Sequence, residues 1–313
     1  MRASGGQRIE WSAIAPDVRA SIEALLGAPV VEARNQAGGF SPGLAARCLL
    51  GDGRRAFVKA VSPDQNPVAA TIHRLEADIA HRLPADLPVP RFLGFVDDGH
   101  WVALLFDEVA GVQPDEPWTD AQLGAVLTAL QRFGEQVTPS PVPGLETVED
   151  RYAAVFDGWR RLAGGDGDPS SYGPDVVAAV DRLADVEVGW AEAAAGDTLL
   201  HTDLRADNLL LTPDGRVVLV DWPWACTGAA FLDLVLLLPS VGLGGGPDPS
   251  AVITRYGLFT DVDPDALLAV VTALAGFFVR QSLDPAPPGL PTVRAFQRAQ
   301  AEVALGWLLG LLA

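Results

Sequence analysis

One stretch, from His201 to Asp221, constrains the fold of this chain most: HTDLRADNLLLTPDGRVVLVD. Two short apolar and partly β-branched runs within it, 209–211 and 217–220, are predicted strands. Between them stands Thr-Pro-Asp-Gly at 212–215, whose proline suits the second position of a type I turn. Its glycine can adopt the left-handed conformation that closes a three-residue hairpin loop. The stretch therefore predicts a polar loop that leads into a tight β-hairpin.

The loop length sets the register of this hairpin, and the sequence leaves two registers open. A three-residue loop pairs Thr212 with Arg216, whereas a two-residue Asp-Gly loop pairs Pro213 with Arg216. The second register puts Asn208 directly opposite Asp221, and the first displaces it by one residue. In both, the two polar side chains lie at the open end of the hairpin. Opposite Cα atoms there are about 4.5–5.5 Å apart, so two oxygen ligands can serve neighbouring metal ions.

The chemistry of this open end favours a divalent cation. Asp203, on the loop that enters the hairpin, lies five residues before Asn208. Two carboxylates and an amide oxygen suit Mg²⁺, which is bound by one or two carboxylates plus substrate phosphates. The spacing matches a phosphoryl-transfer site in which Asp203 meets the acceptor hydroxyl while Asn208 and Asp221 bind Mg²⁺. The alternative is an ordinary hairpin surrounded by solvated acids.

The segment HTDLRADNLL, followed by VDWPWA, resembles the aminoglycoside phosphotransferase family, the antibiotic-kinase branch of the protein-kinase-like fold. Choline, fructosamine and homoserine kinases resemble it less closely. The resemblance extends from about Gly38 to about Asp233. It implies a two-lobed α+β fold with a small antiparallel-sheet lobe and a larger, mainly helical lobe. We place the nucleotide-binding lobe at 1–110 and the catalytic and acceptor-binding lobe at 111–313. Within the larger lobe, the sequence pattern predicts one helix at 148–162 and another at 174–195.

Lys59 is the only lysine among 22 basic residues, and it lies on a predicted apolar strand, AFVKAV. A lone lysine in an arginine-rich chain suggests that a compact ammonium is needed there. It resembles the strand lysine that contacts nucleotide phosphates. On the helix predicted for 67–83, Glu76 is expected to pair with this ammonium, and Asp78 is the alternative. A surface lysine and a solvated acid are the simpler interpretations of both residues.

Two further segments are expected to meet the nucleotide. The glycine-rich turn GGFSPG at 38–43 lies between predicted strands, and its backbone amides near Gly39, with Ser41 as an added donor, would cover phosphates. A plain hairpin turn is the alternative. The segment LLFDEVAG at 104–111 resembles the family's hinge, where backbone groups between Glu108 and Ala110 would meet the purine edge.

Supporting roles follow from the resemblance. His201 is expected to hold the catalytic loop rather than to transfer protons, because Asp203 already fills the role of base. Asp233 resembles the aspartate that ties down the backbone of that loop, although Gly-Ala-Ala replaces the usual Gly-Asp-Pro before it. Trp224 is interpreted as a core residue. Arg205 either screens phosphate charge or is solvated.

The composition of the chain limits the classes of partner that it is expected to bind. With 40 acidic and 22 basic residues the net charge is −18, which argues against nucleic-acid binding and favours a cationic small molecule. The longest apolar run, 267–279, is shorter than a bilayer requires, so no membrane partner is expected. The start of the chain does not resemble a signal peptide, which favours the cytoplasm. Seven acids of the larger lobe were candidates for the acceptor cleft: Asp115, Glu116, Asp120, Glu146, Glu149, Asp150 and Asp157.

These patterns together predict a Mg²⁺-dependent kinase that transfers the γ-phosphoryl group of ATP, with GTP as an alternative, to a small-molecule hydroxyl. The resemblance implies a cationic, aminoglycoside-like acceptor and a role in antibiotic resistance. A metabolite kinase acting on choline or another amino alcohol, a sugar or homoserine is the second interpretation. An inactive nucleotide-binding scaffold is the alternative outside enzymes.

Overall fold

A five-stranded antiparallel sheet forms most of the amino-terminal part of the molecule. The computed structural model describes residues 8–36, 42–287 and 290–312. The strands lie in the order β1-β2-β3-β5-β4, and every neighbouring pair is antiparallel. The elements of this part are α1 (Pro16–Leu26), β1 (Val30–Asn35), β2 (Leu44–Leu50), β3 (Arg55–Val61), α2 (Pro67–Arg82), β4 (Phe92–Asp97) and β5 (Val102–Asp107).

The alternation of side chains along β3 assigns each face of the sheet to one helix. Ala56, Val58 and Ala60 are fully buried in a cluster with α1. The intervening residues, Lys59 among them, therefore lie on the face that is covered by α2. Helix α2 begins after Asn66, whose side chain accepts a hydrogen bond from a backbone amide of the first turn. Strand and helix together bring Lys59 to a helix that carries acids.

Helices dominate the rest of the chain and share one large apolar core. With the sheet, this confirms the predicted α+β fold with a small sheet lobe and a larger helical lobe. The division at residue 110 stays a prediction. The elements are α3 (Asp120–Gln136), α4 (Val148–Tyr152), α5 (Gly158–Ala163), α6 (Pro174–Glu187), α7 (Trp190–Ala193), β6 (Thr198–Leu200), β7 (Leu209–Leu211), β8 (Val217–Leu219), β9 (Cys226–Gly228), α8 (Leu232–Leu243), α9 (Pro249–Tyr256), α10 (Pro264–Ser282) and α11 (Val293–Leu312).

Two predicted helices are wrong in extent. The pattern at 148–162 predicts one helix, but the structure has α4 and α5 with a break between them. A buried carboxylate explains the second start: Glu187 accepts hydrogen bonds from the backbone amides of Trp159 and Arg160, at 3.0 Å each. The helix predicted for 174–195 is likewise divided into α6 and α7, while α9 and the β6–β9 pair were not predicted.

Helix α10 contains the longest apolar run of the chain. By length and composition alone it could cross a membrane, with a mean hydropathy of 1.3. In the structure, however, 67% of its apolar window is buried among other elements. It packs so closely on α5 that a Cβ on Gly158 would lie 2.1 Å from the carbonyl oxygen of Gly276. The apolar run is therefore part of a helix that packs inside the protein.

Candidate active site

The hairpin adopts the register with a three-residue loop. Leu211 pairs with Val217, and the backbone amide of Thr212 donates to the carbonyl of Arg216 at 2.9 Å. Gly215 has a φ of 81°, the left-handed conformation that this loop requires. Pairing continues to the amide of Val220, which donates to the carbonyl of Asn208 at 3.0 Å. Asn208 therefore lies opposite Val220, and Asp221 is displaced from it by one position at the open end.

Asp221 follows this pair and leaves the strand in a left-handed conformation, with a φ of 73°. Aspartate tolerates this region better than most residues, and such strain is common at functional sites. Its carboxylate Oδ1 lies 2.6 Å from Nζ of Lys59. The two oxygens of Glu76 lie 2.7 and 2.8 Å from the same ammonium. The neighbouring acid Asp78 instead pairs with Arg82 at 3.0 Å.

The ammonium of Lys59 therefore pairs with two carboxylates, those of Glu76 and Asp221. Burial raises the pKa of Glu76, and the attraction of Lys59 offsets only part of that. Burial also opposes ionisation of Asp221, but Lys59 outweighs it and lowers the pKa of this carboxyl. The pKa of Lys59 is raised because the attraction of Asp221 and Glu76 exceeds the effect of its burial. When all three are ionised, the trio has a net charge of −1.

The loop before the hairpin is held by the first turn of α8. Asp233 accepts hydrogen bonds from the backbone amides of His201 and Thr202, at 2.8 Å each. Thr202 has a φ of 61°, which is costly for a β-branched residue. Its hydroxyl donates to the carbonyl of Trp224 at 2.9 Å and accepts from Tyr152 at 2.7 Å. This geometry matches the position that the resemblance implies for Asp233.

His201 is fully buried and connects the loop to the hairpin. The backbone amide of Asp203 donates to its Nδ1 at 3.2 Å, so the ring proton lies on Nε2, 2.9 Å from the carbonyl of Val220. Burial lowers the pKa of the ring. A neutral ring with both nitrogens engaged holds the loop in place. The ring of His201 packs on the buried Trp222. Trp224, in contrast, is half-buried and lines the cavity, so the interpretation of Trp224 as a core residue is wrong.

Asp203 is positioned by its neighbours on both sides. The amide nitrogen of Asn208 donates to the backbone carbonyl of Asp203 at 2.8 Å and to its Oδ2 at 3.3 Å. Arg205 forms an ion pair with Asp203 and another with Asp207. Its side chain is only 16% exposed, so the interpretation of Arg205 as a solvated residue is excluded. Burial raises the pKa of Asp203 to about 6, within the range that suits a general base near neutral pH.

The side chains of Lys59, Glu76 and Asp221 line the same cavity as Asp203 and Asn208, with a volume of about 1060 Å³. We call the part formed by Lys59, Glu76 and the segment at 106–109 the sheet-side wall. The helix-side wall is formed by Asp115, Trp224 and two residues of α11. Asp203, Asn208 and Asp221 also line the cavity.

The predicted hinge borders the cavity only in part. Glu108 lines the cavity and lies 3.7 Å from Arg47 and 3.6 Å from Arg55. Ala110 is exposed and does not line the cavity. Gly39 and Ser41 lie outside the described residues.

Residues 39–270 match the model of a family described as the phosphotransferase enzyme family. The chain belongs to this family. It is therefore a phosphotransferase that acts on a hydroxyl group, and the family expected from the catalytic hairpin is confirmed. No curated protein matches the chain.

Solved structures of this phosphotransferase's relatives show the same protein-kinase-like fold. An aminoglycoside phosphotransferase from Alicyclobacillus acidocaldarius has a TM-score of 0.60 at 18% identity, over 96% of both chains. A spectinomycin phosphotransferase in complex with ADP and spectinomycin has a TM-score of 0.60 at 16% identity, over 92% of this chain and 97% of that one. A choline kinase from Streptococcus pneumoniae has a TM-score of 0.58 at 14% identity, over 93% and 98%.

The oxygen atoms at the open end of the hairpin fit a magnesium ion. The amide nitrogen of Asn208 faces Asp203, which leaves the amide oxygen for a cation. Oδ1 of Asp221 contacts Lys59, which leaves Oδ2. Among the described residues, no group of three or more His, Cys, Asp or Glu side chains could hold a metal alone. Two protein oxygens completed by substrate phosphates and water are a typical Mg²⁺ environment.

Most of the acids predicted for an acceptor cleft do not line the cavity. Of the seven candidates, only Asp115 lines the cavity. Asp120 pairs with Arg255, Glu146 pairs with Arg151, and Asp150 caps α4. The cavity walls are nevertheless acidic, since within the described part of the chain seven carboxylates face four basic side chains. The carboxylates belong to Glu76, Asp107, Glu108, Asp115, Asp203, Asp207 and Asp221.

Proposed function

We propose that this phosphotransferase transfers the γ-phosphoryl group of ATP to a hydroxyl of a cationic, aminoglycoside-like molecule. One observation carries the proposal: the Lys59, Glu76 and Asp221 cluster lies in the same cavity as Asp203. A buried ammonium suits the phosphates of a nucleotide. A carboxylate with a raised pKa suits a hydroxyl that must lose its proton. GTP is the alternative donor.

Each residue has a defined role in this reaction. Lys59, oriented by Glu76, binds phosphate oxygens of the nucleotide. The free oxygens of Asn208 and Asp221 hold Mg²⁺, which when bound neutralises charge on the phosphates. Asp203 accepts a hydrogen bond from the acceptor hydroxyl and takes its proton as the oxygen attacks the γ-phosphorus. The bond from that phosphorus to the β–γ bridging oxygen breaks, and the nucleoside diphosphate leaves.

The acidic cavity supports a cationic acceptor. Seven carboxylates against four basic groups give a negative field that attracts ammonium groups. Trp224 adds an aromatic side chain that a cation can face. The related spectinomycin phosphotransferase structure contains ADP and spectinomycin, which agrees with this pairing of substrates. A role in antibiotic resistance follows from the proposal if the phosphorylated acceptor is an antibiotic.

A metabolite kinase is the second candidate, because a choline kinase shares the fold and choline also carries a cationic group. Sugar and homoserine acceptors are less consistent with the negative field of the cavity. The inactive-scaffold interpretation is disfavoured because Lys59, Asp203, Asn208 and Asp221 are all present and line one cavity.

A coupled nucleotide-consumption screen tests the proposal. Aminoglycosides, amino alcohols and neutral sugars are supplied in turn with ATP or GTP, with and without Mg²⁺, and phosphorylated products are detected by mass spectrometry. We expect acceptor-dependent consumption of ATP that requires Mg²⁺ and is lost in Asp203→Asn. Consumption that leaves every acceptor unmodified would contradict the proposal, and a preference for a neutral acceptor would contradict its cationic part.

A further inference from the structure

The segment before α1 is fixed against the sheet beside the cavity. Arg8 forms a parallel bridge with Gly43, and the backbone amide of Ile9 donates to the carbonyl of Gly43 at 3.3 Å. The side-chain nitrogen of Asn35, at the end of β1, donates to the carbonyl of Ile9 at 2.8 Å. These contacts hold Arg8 at the edge of the sheet where β1 ends and β2 begins.

Gly43 connects this segment to the strand that carries Lys59. Its φ is +100°, and a Cβ built on it would lie 2.3 Å from the carbonyl oxygen of Ala60. Only glycine permits such a close approach of the backbone to β3. Arg8 is thus held by a residue that packs directly on the neighbour of Lys59. The Nε of Arg8 donates to the carbonyl of Gln36 at 3.1 Å, which orients the guanidinium.

Arg8 lines the same cavity as Lys59, Glu76 and Asp221. Burial lowers its pKa, and the nearby carboxylate of Asp221 partly reverses this effect. The buried ring of His73, one turn before Glu76 on α2, also lines the cavity. Its pKa is lowered to about 4, first by burial and then by Lys59, with a smaller contribution from Arg8. The guanidinium therefore shares the cavity with the charged cluster and lies within electrostatic range of Asp221 and His73.

We propose that Arg8 is a second phosphate-binding cation of the nucleotide site, beside Lys59. This inference rests on the proposed use of a nucleotide. The ammonium of Lys59 is shared between two carboxylates, so the trio has a net charge of −1 when all three groups are ionised and then offers little attraction to a polyphosphate. A guanidinium beside it restores neutrality. It also supplies planar donors that bind phosphate oxygens in pairs, which an ammonium cannot do.

The test compares Arg8→Gln with Arg34→Gln. Arg34 also lies in the sheet part, its side chain is 77% exposed, and it does not line the cavity, so its substitution removes the same charge from the surface. Dissociation constants for ATP, ADP, AMP and adenosine are measured by titration calorimetry. We expect Arg8→Gln to weaken ATP binding about tenfold, from the loss of a charge-assisted contact, and to leave adenosine binding unchanged. Arg34→Gln should bind all four ligands like the unmodified protein.

The conservative variant Arg8→Lys, which keeps the charge, separates a phosphate contact from a structural role. It should recover part of the affinity for ATP, whereas equal losses for ATP and adenosine in Arg8→Gln would overturn the inference and indicate a distorted site. Unchanged affinity for ATP would overturn it as well. If the unmodified protein binds ATP no more tightly than adenosine, the nucleotide proposal itself is wrong, and the inference about Arg8 is overturned with it.

Discussion

The sheet-side and helix-side walls of the cavity hold their charges in different ways. On the sheet-side wall, Lys59 contacts Glu76 and Asp221 at 2.6–2.8 Å, and its side chain is only 16% exposed. On the helix-side wall, Asp115 is exposed and accepts a hydrogen bond from Gln122 at 3.0 Å. Buried, paired charges form a fixed geometry, while an exposed acid acts mainly through its field. In the proposed reaction, phosphate transfer would therefore use a fixed arrangement of charges, while acceptor binding would depend more on electrostatic attraction.

The largest effect should come from Asp203, which lies between the two walls. Asp203→Ala should lower kcat by about 10²–10⁴-fold, the usual contribution of a positioned general base. Nucleotide affinity should change little, because in the proposed reaction Asp203 contacts the acceptor and not the nucleotide. Steady-state kinetics and nucleotide titration measure the two effects. Asp214→Ala, in the exposed turn of the same hairpin, is the matched control. Near-full turnover in Asp203→Ala would remove this residue from the chemistry.

A smaller effect is expected at Asp221, where the sheet-side wall borders the proposed metal site. Asp221→Asn keeps the shape of the side chain but replaces a charged ligand with a neutral one. Affinity for Mg²⁺-nucleotide should fall about tenfold, and affinity for the metal-free nucleotide should fall less. Titrations with and without Mg²⁺ give both values. Equal shifts in the two titrations would show that Asp221 does not bind the metal.

The difference between the two walls also explains which parts of the site could be predicted from the sequence. The hairpin and the positions of Asn208 and Asp221 follow from local turn chemistry, and strand alternation with helix periodicity brings Lys59 to Glu76. The contact between Lys59 and Asp221 joins residues 162 positions apart, and no local pattern encodes it. The helix break at Gly158 depends on the distant Glu187. The helix-side wall combines segments near 115, 224 and 293, which are far apart in the sequence. The residues that form it could therefore be identified only from the fold.

The pH profile should separate Asp203 from the nucleotide-binding cluster. Burial raises its pKa to about 6, and only the deprotonated carboxylate accepts a proton. The quantity kcat/KM for the acceptor should therefore be constant well above pH 6 and fall about tenfold per pH unit below it. The profile is measured at saturating Mg²⁺-nucleotide, so that changes in nucleotide affinity, from Glu76 or from the phosphates themselves, do not contribute to it. A flat kcat/KM profile from pH 5 to 8 would contradict the assignment of Asp203 as base.

The smallest effect concerns the helix-side wall and the charge of the acceptor. If the acceptor is a polycation attracted by an acidic cavity, its KM should rise by a few-fold between low and physiological salt, where the screening length shortens to about 8 Å. Asp115→Asn should raise KM at low salt and reduce this dependence, because it removes an exposed carboxylate that lines the cavity. Asp120→Asn changes the net charge equally, but Asp120 pairs with Arg255 and does not line the cavity, so it should behave like the unmodified protein. Equal responses of the two variants would indicate a general surface field. A neutral best acceptor with a salt-independent KM would reject the cationic acceptor and leave the phosphotransferase assignment intact.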